Sequence, residues 1–346
     1  MGNLYNIHTN LHEKNKSLPK LIDFLKSQHL DYDDHITFSV TLTDTDDTII
    51  ATGSLDNNII KCLAVSDQHR DEGLAANIVS QLISKAAQNG IRKLFVYTKP
   101  LHEKMFNGLG FYTIEKTQNV LLMENVKNGF NDYLDTIKTD TNHFIAKNNI
   151  QANTIGCIIA NCNPFTNGHL YLIGEASKQC DVLHIFILSG SNEFFNEAER
   201  VFLVKEGLKD FKNIIVHYAK EYILSPLTFP TYFIKDKKQT SIINCNLDIA
   251  IFLKKIVPLL HITHRFVGTE SNDLVTNAYN NELIKALTNS TVALIILERK
   301  KVGSSIISAS TVRKYIENND FQKIKDFVPS STYDFILSKF TSTSRS

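Results

Sequence analysis

The run Thr154–Ala160 is almost entirely apolar, and a polar loop follows it at once: Asn161-Cys162-Asn163-Pro164-Phe165-Thr166-Asn167-Gly168-His169. A strand that is apolar on both faces must be covered on both, which is the situation inside a parallel sheet. Parallel neighbours require crossover helices, and the chain supplies them. Helical patterns are expected at His169–Gln179, Glu197–Leu208, Leu247–Leu260 and Val275–Leu287. Strands are expected between them at Leu183–Leu188, Ile214–His217, Arg265–Val267 and Val292–Leu297. This alternation predicts a doubly wound α/β domain over residues 153–346, closed by helices at Ser310–Asn318 and Ser331–Phe340.

Residues 1–124 follow another pattern. Short strands are expected at Ile36–Leu42, Thr48–Ser54 and Ile59–Val65, separated by Asp- and Asn-rich turns. A helix at Leu74–Gln88, a strand at Lys93–Tyr97, a helix at Leu101–Leu109 and a strand from Phe111 complete a mixed α+β domain. Residues 125–152, rich in Asn, Lys, Asp and Thr, read as a connector holding one short helix around Asn131–Ile137.

Composition removes several function classes. The 37 Lys and Arg balance 36 Asp and Glu, leaving a formal charge of +1 and no broad footprint for nucleic acid. No apolar run approaches the ~20 residues that span a bilayer, and Met1 to Lys20 lacks the apolar core of a signal peptide. A cytoplasmic protein with no membrane partner is expected. The five cysteines Cys62, Cys157, Cys162, Cys180 and Cys245 form no C-x-x-C pair, so neither a disulfide framework nor a zinc site is suggested. His261 and His264 could share a helical face, but no third ligand lies nearby, and no residue is assigned to a metal.

In an open α/β sheet, ligands bind beyond the carboxyl ends of the strands. That places the Asn161–His169 loop where chemistry is expected. Gly168 lets the backbone approach a ligand, and His169 opens a helix whose free amides favour a phosphate. Thr166 could face the same anion or simply cap the helix, with His169 an ordinary helix-start residue. Near the other end, Ile307-Ser308-Ala309-Ser310-Thr311-Val312-Arg313 precedes a helix. Ser308 and Ser310 offer hydroxyls, and Arg313 can grip phosphate oxygens bidentately. A plain Ser cap with a surface Arg is the competing reading. Gly268-Thr269-Glu270 follows another strand, as a nucleotide contact or a tight turn. Arg200, on the helix Glu197–Leu208, could reach a phosphate or the acetate carboxylate, but the favoured reading is a solvated or salt-bridged residue.

Taken together, the T-x-G-H and I-S-x-S-x-x-R signatures resemble the nucleotidyltransferase superfamily of Rossmann-like enzymes. The segments Asn161–Thr166, Phe266–Glu270, Val275–Asn280 and Tyr222–Phe233 resemble the citrate (pro-3S)-lyase ligase family, also called citrate lyase synthetase. The likeness runs from the first third of the chain to about Asp326. It implies an acid–thiol ligase that uses ATP, with Mg²⁺ on the phosphates, to acetylate a thiol. That thiol belongs to a dephospho-CoA-derived prosthetic group on the acyl-carrier subunit of citrate lyase. Acetate attacks the α-phosphate, giving acetyl-AMP and pyrophosphate, and the thiol then takes the acetyl group. Catalytic roles carry over to His169, Thr166 and Arg313, and ATP-binding roles to Asn163, Gly168, Gly268, Thr269, Ser308 and Ser310. The rival readings are an adenylyltransferase with a phosphopantetheine or mononucleotide acceptor, and a non-catalytic carrier-binding regulator.

In the amino-terminal domain, Arg70-Asp71-Glu72-Gly73-Leu74-Ala75 lies between a strand and a helix, and Phe106-Asn107-Gly108-Leu109-Gly110-Phe111 follows. Both resemble the GNAT acetyltransferase fold, in which such a loop cradles a CoA pyrophosphate. Because the carrier's prosthetic group derives from dephospho-CoA and the acetyl group already comes from ATP-activated acetate, Arg70, Gly73 and Ala75 are expected to dock that group without an acetyltransferase activity of their own. A plain Gly-containing helix start is the competing reading.

Overall fold

The computed structural model describes residues 5–11, 18–33, 35–189, 194–223, 245–269, 274–288, 290–302 and 305–341. These fall into two compact units: residues up to 131 with 245–247, and residues 132–223 with 248–341.

The first unit is built on a seven-stranded sheet. In chain order it comprises β1 (Asn6–Leu11), α1 (Leu18–Ser27), β2 (Phe38–Thr43), β3 (Ile49–Asp56), β4 (Ile59–Val65), α2 (Leu74–Gln88), β5 (Phe95–Thr98), α3 (Glu103–Gly108), β6 (Tyr112–Lys116) and β7 (Leu121–Glu124). The spatial order is β1-β2-β3-β4-β5-β7-β6. β1 and α1 carry no expectation from the sequence. α1 joins the unit by burying Leu21 and Leu25, one helical turn apart. α2 lays Leu74, Ile78, Val79, Leu82 and Ala86 into the core, the stripe a 3.6-residue period produces. β4 and β5 are parallel and pair only at Ile59–Phe95 and Ile60–Val96. Beyond those pairs a cleft of about 140 Å³ opens between them, lined by Cys62, Ala64, Ala75, Tyr97, Thr98 and His102 among others.

α4 (Gly129–Asn148) is far longer than the short helix expected at Asn131–Ile137. Its polar composition conceals a buried stripe at Phe130, Tyr133, Ile137 and Thr141, spaced as one helix face requires.

The second unit holds β8 (Ile155–Ala160), α5 (Asn167–Ser177), β9 (Val182–Ile187), α6 (Glu197–Gly207), β10 (Ile214–Tyr218), β11 (His264–Gly268), α9 (Leu274–Leu287) and β12 (Ala293–Leu297). The sheet order β10-β9-β8-β11-β12 is parallel throughout. The chain winds outward from β8 to β10, then returns to β11 on the other side. β8 and β11 therefore flank the topological switch point, where such sheets bind ligands.

The helix expected at Leu247–Leu260 is two pieces, α7 (245–251) and α8 (Val257–Leu260), joined by a π-helical turn over Phe252–Ile256. Pro258, near the start of α8, explains the widened turn: it has no N–H to give and its ring crowds the preceding carbonyl. α8 ends at His261, in the left-handed conformation with φ 55°, while His264 begins β11. The two histidines thus share no helical face. A short hairpin, β13 (Lys301–Val302) and β14 (Ser305–Ile306), precedes α10 (Ala309–Glu317), α11 (Phe321–Ile324) and α12 (Ser330–Thr341). Val312 and Ile316 of α10, Ile324 of α11 and Ile336 of α12 pack into one core with Ile173, Val201 and Val204. No helix among the described residues is long and apolar enough to cross a membrane.

Candidate active site

The loop from β8 to α5 is fixed from beneath. Cys162 and Phe165 are fully buried, and Cys162 takes a left-handed φ of 52°. Asn163 is 4% exposed, and its Oδ1 accepts from the Phe195 amide at 3.1 Å. Arg200, read from sequence as solvated or salt-bridged, is instead 0% exposed. Its guanidinium donates to the Asn161 carbonyl at 3.0 Å and to the Asn161 side-chain oxygen. The surface reading fails because α6 also buries Val201, Leu203 and Val204, its neighbours on the inward face. Arg200 works as an internal clamp on the loop.

Thr166 caps α5. Its Oγ1 accepts from the His169 amide at 3.3 Å. In return, the Thr166 amide donates to His169 Nδ1 at 3.1 Å, and Thr166 Oγ1 lies 2.9 Å from the same nitrogen. This is a capping box closed by a histidine in place of Glu or Gln. Its chemical consequence concerns the tautomer. Because Nδ1 accepts a backbone N–H, a neutral ring carries its proton on Nε2, which then donates outward. Burial and the nearby Arg299 charge push the His169 pKa down to about 4. The imidazole is neutral at pH 7, a preset donor suited to an anion. Thr166 is 1% exposed; its visible task is to orient His169.

The second signature meets the first. A side chain on Gly168 would come within 3.2 Å of the Ile307 carbonyl and 3.4 Å of its Cβ, so glycine lets the two segments approach without crowding. Arg313 donates to the Asn163 carbonyl at 2.5 Å, tying α10 to the loop. Ser308 caps α10, accepting from the Thr311 amide at 3.1 Å and lying 3.0 Å from the Ser310 hydroxyl. The amino termini of α5 and α10 therefore converge, and their dipoles both favour negative charge between them. The Asn167 and His169 amides are committed to the Phe327 carbonyl and to Thr166, and the Gly168 N–H, in the first turn of α5, has no acceptor within the helix.

Gly268 ends β11, and the Thr269 amide donates to the Leu297 carbonyl at 2.9 Å. A Cβ on Gly268 would meet Leu172 of α5 at 3.0 Å, so the β11 end lies directly against the helix that starts at His169. Glu270 and residues 224–233 of the Tyr222–Phe233 segment lie outside the described residues. Asn163, Thr166, Gly168, His169, Gly268, Ser308 and Arg313 are thus brought to one edge of one sheet.

Arg70, Gly73 and Ala75 belong to the first unit. Arg70 is exposed and pairs with Asp67 at 2.5 Å. Gly73 caps α2 with φ 71°, a conformation that favours glycine. Ala75 lines the cleft beside β4. Cys62, in the cleft wall, is pushed up to about 12 by burial, and burial with the Lys99 charge lowers His102. Both side chains are therefore neutral at pH 7.

A family model described as the citrate lyase ligase C-terminal domain matches residues 155–336. The chain is 37% identical to the citrate (pro-3S)-lyase ligase of Escherichia coli strain K12 over 93% of its own length and 91% of that protein. The chain belongs to the citrate lyase ligase family. The relative from Haemophilus influenzae is 36% identical, over 93% of this chain and 95% of that one. A second family model, an acetyltransferase (GNAT) domain, matches residues 24–123. The fold is accordingly a GNAT-like α+β domain followed by a Rossmann-like, doubly wound parallel domain. The likeness to phosphopantetheine adenylyltransferase of Staphylococcus haemolyticus, 37% identical, takes in only 19% of this chain and 42% of that enzyme.

For this citrate lyase ligase family member, sequence reasoning misjudged Arg200 and overlooked Arg299. The position of Arg299 just past β12, at the same sheet edge as the other loops, was the available signal.

Proposed function

We propose that this chain is an ATP-dependent, AMP-forming acid–thiol ligase. It acetylates the thiol of the dephospho-CoA-derived prosthetic group on the acyl-carrier subunit of citrate lyase, and so activates that enzyme. The observation that carries this reading is the meeting of two helix amino termini around a neutral His169 at the β8/β11 switch point.

In the first half-reaction a carboxylate oxygen of acetate attacks the α-phosphate of ATP, forming the P–O bond of acetyl-AMP as the bond to pyrophosphate breaks. His169 Nε2–H and the Gly168 amide donate to phosphate oxygens as charge builds on them, a role in which one preset donor is worth about 10²–10³ in rate. Ser308, Ser310 and the first amides of α10 hold the rest of the triphosphate, and Arg313 holds Asn163 and the loop to α10. Gly268 and Thr269 border the nucleoside. In the second half-reaction the thiolate attacks the acetyl carbon, and AMP departs with the oxygen that came from acetate. Mg²⁺ fits this site as a substrate-borne ion. Among the described residues no cluster of three or more His, Cys, Asp or Glu side chains could cage a metal, so triphosphate oxygens would hold it. There it would neutralise phosphate charge.

We assign adenylation to residues 153–346 and docking of the prosthetic arm to residues 1–124, with 125–152 joining them. Ala75 lines the docking cleft, whose Cys62 and His102 are neutral, and Arg70 and Gly73 stand on the loop that leads into the same helix. Supplying ATP, Mg²⁺ and acetate should yield acetyl-AMP without the carrier. Pyrophosphate release that depends instead on a phosphopantetheine-type or mononucleotide acceptor would establish the adenylyltransferase reading.

A further inference from the structure

We propose that Arg299 is a further triphosphate-binding residue of the adenylation site, its guanidinium gripping oxygens of the same phosphate chain that His169 meets. This inference rests on the adenylation reading above. Arg299 stands just beyond the carboxyl end of β12, the strand paired with β11. Its Cγ and Nε lie 3.9 and 4.0 Å from where a Cβ on Gly268 would be. The side chain therefore runs along the end of β11, with Leu172 of α5 on the same glycine. The next residue is anchored as well: the Lys300 carbonyl accepts from the Ile307 amide at 3.2 Å. Ile307 is the residue against which Gly168 packs. Arg299 is thus held between the β11 end and the meeting point of the two signatures.

Its positive charge is also felt at His169, where it helps to keep the ring unprotonated. A triphosphate offers oxygens along several ångströms, so a guanidinium at the β11 end can hold one oxygen while His169 Nε2–H holds another. The planar fork suits phosphate oxygens, which a point charge matches less well. The neighbouring Lys300 is directed elsewhere: its ammonium stands 6.0 Å from the Tyr171 ring centre. Arg299 thus supplies a fixed cation beside the two helix termini.

The test uses the full chain and measures binding of ATP and of adenosine by titration calorimetry, alongside the His169 imidazole titration by NMR without nucleotide. Arg299→Gln should weaken ATP roughly ten- to hundredfold, leave adenosine binding unchanged and raise the His169 pKa. Arg299→Lys should restore the His169 titration while recovering only part of the ATP affinity. It also serves as the binding test should Arg299→Gln fail to fold. Unchanged ATP affinity in a folded variant, with wild-type binding intact, overturns the inference and leaves the adenylation reading standing. A wild-type chain that does not bind ATP overturns both. Equal loss of ATP and adenosine affinity would make Arg299 a structural residue and also overturn the inference.

Discussion

The chain uses a strand, a loop with a glycine and a helix twice, at β4–α2 and at β8–α5, and the two junctions are held in opposite ways. Around β8–α5 the centre of the loop is buried, clamped by Arg200 and Arg313, and its glycine sits in tight space: a Cβ would stand 3.2 Å from the Ile307 carbonyl. Around β4–α2 the loop is open. Gly73 has nothing within 4 Å of its missing Cβ and is demanded only by its left-handed backbone. The side chains of Arg70 and its partner Asp67 are 67% and 75% exposed. The contrast suits the two tasks proposed for them. A transition state needs donors fixed beforehand, whereas a long, flexible arm needs an accessible mouth.

The sharpest way to break this contrast is to remove the clamp. Arg200→Ala removes a fully buried side chain together with its hydrogen bonds to Asn161, and large-to-small losses of this kind run to about 2–5 kcal/mol. Chemical denaturation should show a loss of that order and adenylation should fall with it. Arg70→Ala, the exposed counterpart, should leave stability within about 0.5 kcal/mol. A small effect at Arg200 would mean that the loop is held by packing alone.

His169→Ala should lower acetyl-AMP formation about 10²–10³-fold while the fold survives. Because the same change opens the capping box, about 1 kcal/mol of stability should also go. Adenylation at the wild-type rate would remove His169 from the chemistry.

Acid should act on the second unit. Burial lowers His169 to about 4 and His184 to about 3, and it holds His217, 2.9 Å from His184, well below its usual value. Below pH 6.5 the unfolded chain binds protons that these folded sites refuse, so stability is complete above that pH and falls as pH drops towards 4. By pH 5 the loss should reach up to ~2 kcal/mol per histidine, read as a declining denaturation midpoint. A midpoint flat from pH 7.5 to 5 would contradict it.

The smallest expected effect separates the two glycines. Gly73→Ala should cost about 1 kcal/mol through backbone strain and leave acetyl-AMP formation intact. Gly73→Glu should impair transfer to the carrier thiol alone. Equal loss of both half-reactions would make the β4–α2 loop structural.

Much of this was legible in the sequence because periodicity and loop position speak directly. The apolar β8 run forced a parallel sheet, and the loops at its carboxyl edge were the right place to look. Three things were hidden. α4 carries its buried stripe inside a polar composition, so an average over the segment misses Phe130, Tyr133 and Ile137. The π turn before Pro258 depends on how one proline is accommodated within a packed helix. Arg200 and Arg299 owe their positions to tertiary neighbours far along the chain, and an arginine in isolation reads as a surface residue.

The most direct test of the central claim follows an oxygen atom. With acetate labelled in both carboxylate oxygens with ¹⁸O, and with ATP, Mg²⁺ and the carrier subunit present, attack on the α-phosphate must carry one labelled oxygen into AMP. We expect AMP bearing a single ¹⁸O, formed in step with thioester and pyrophosphate that is unlabelled. Label in inorganic phosphate with release of ADP, or AMP without label, would contradict the acetyl-adenylate route.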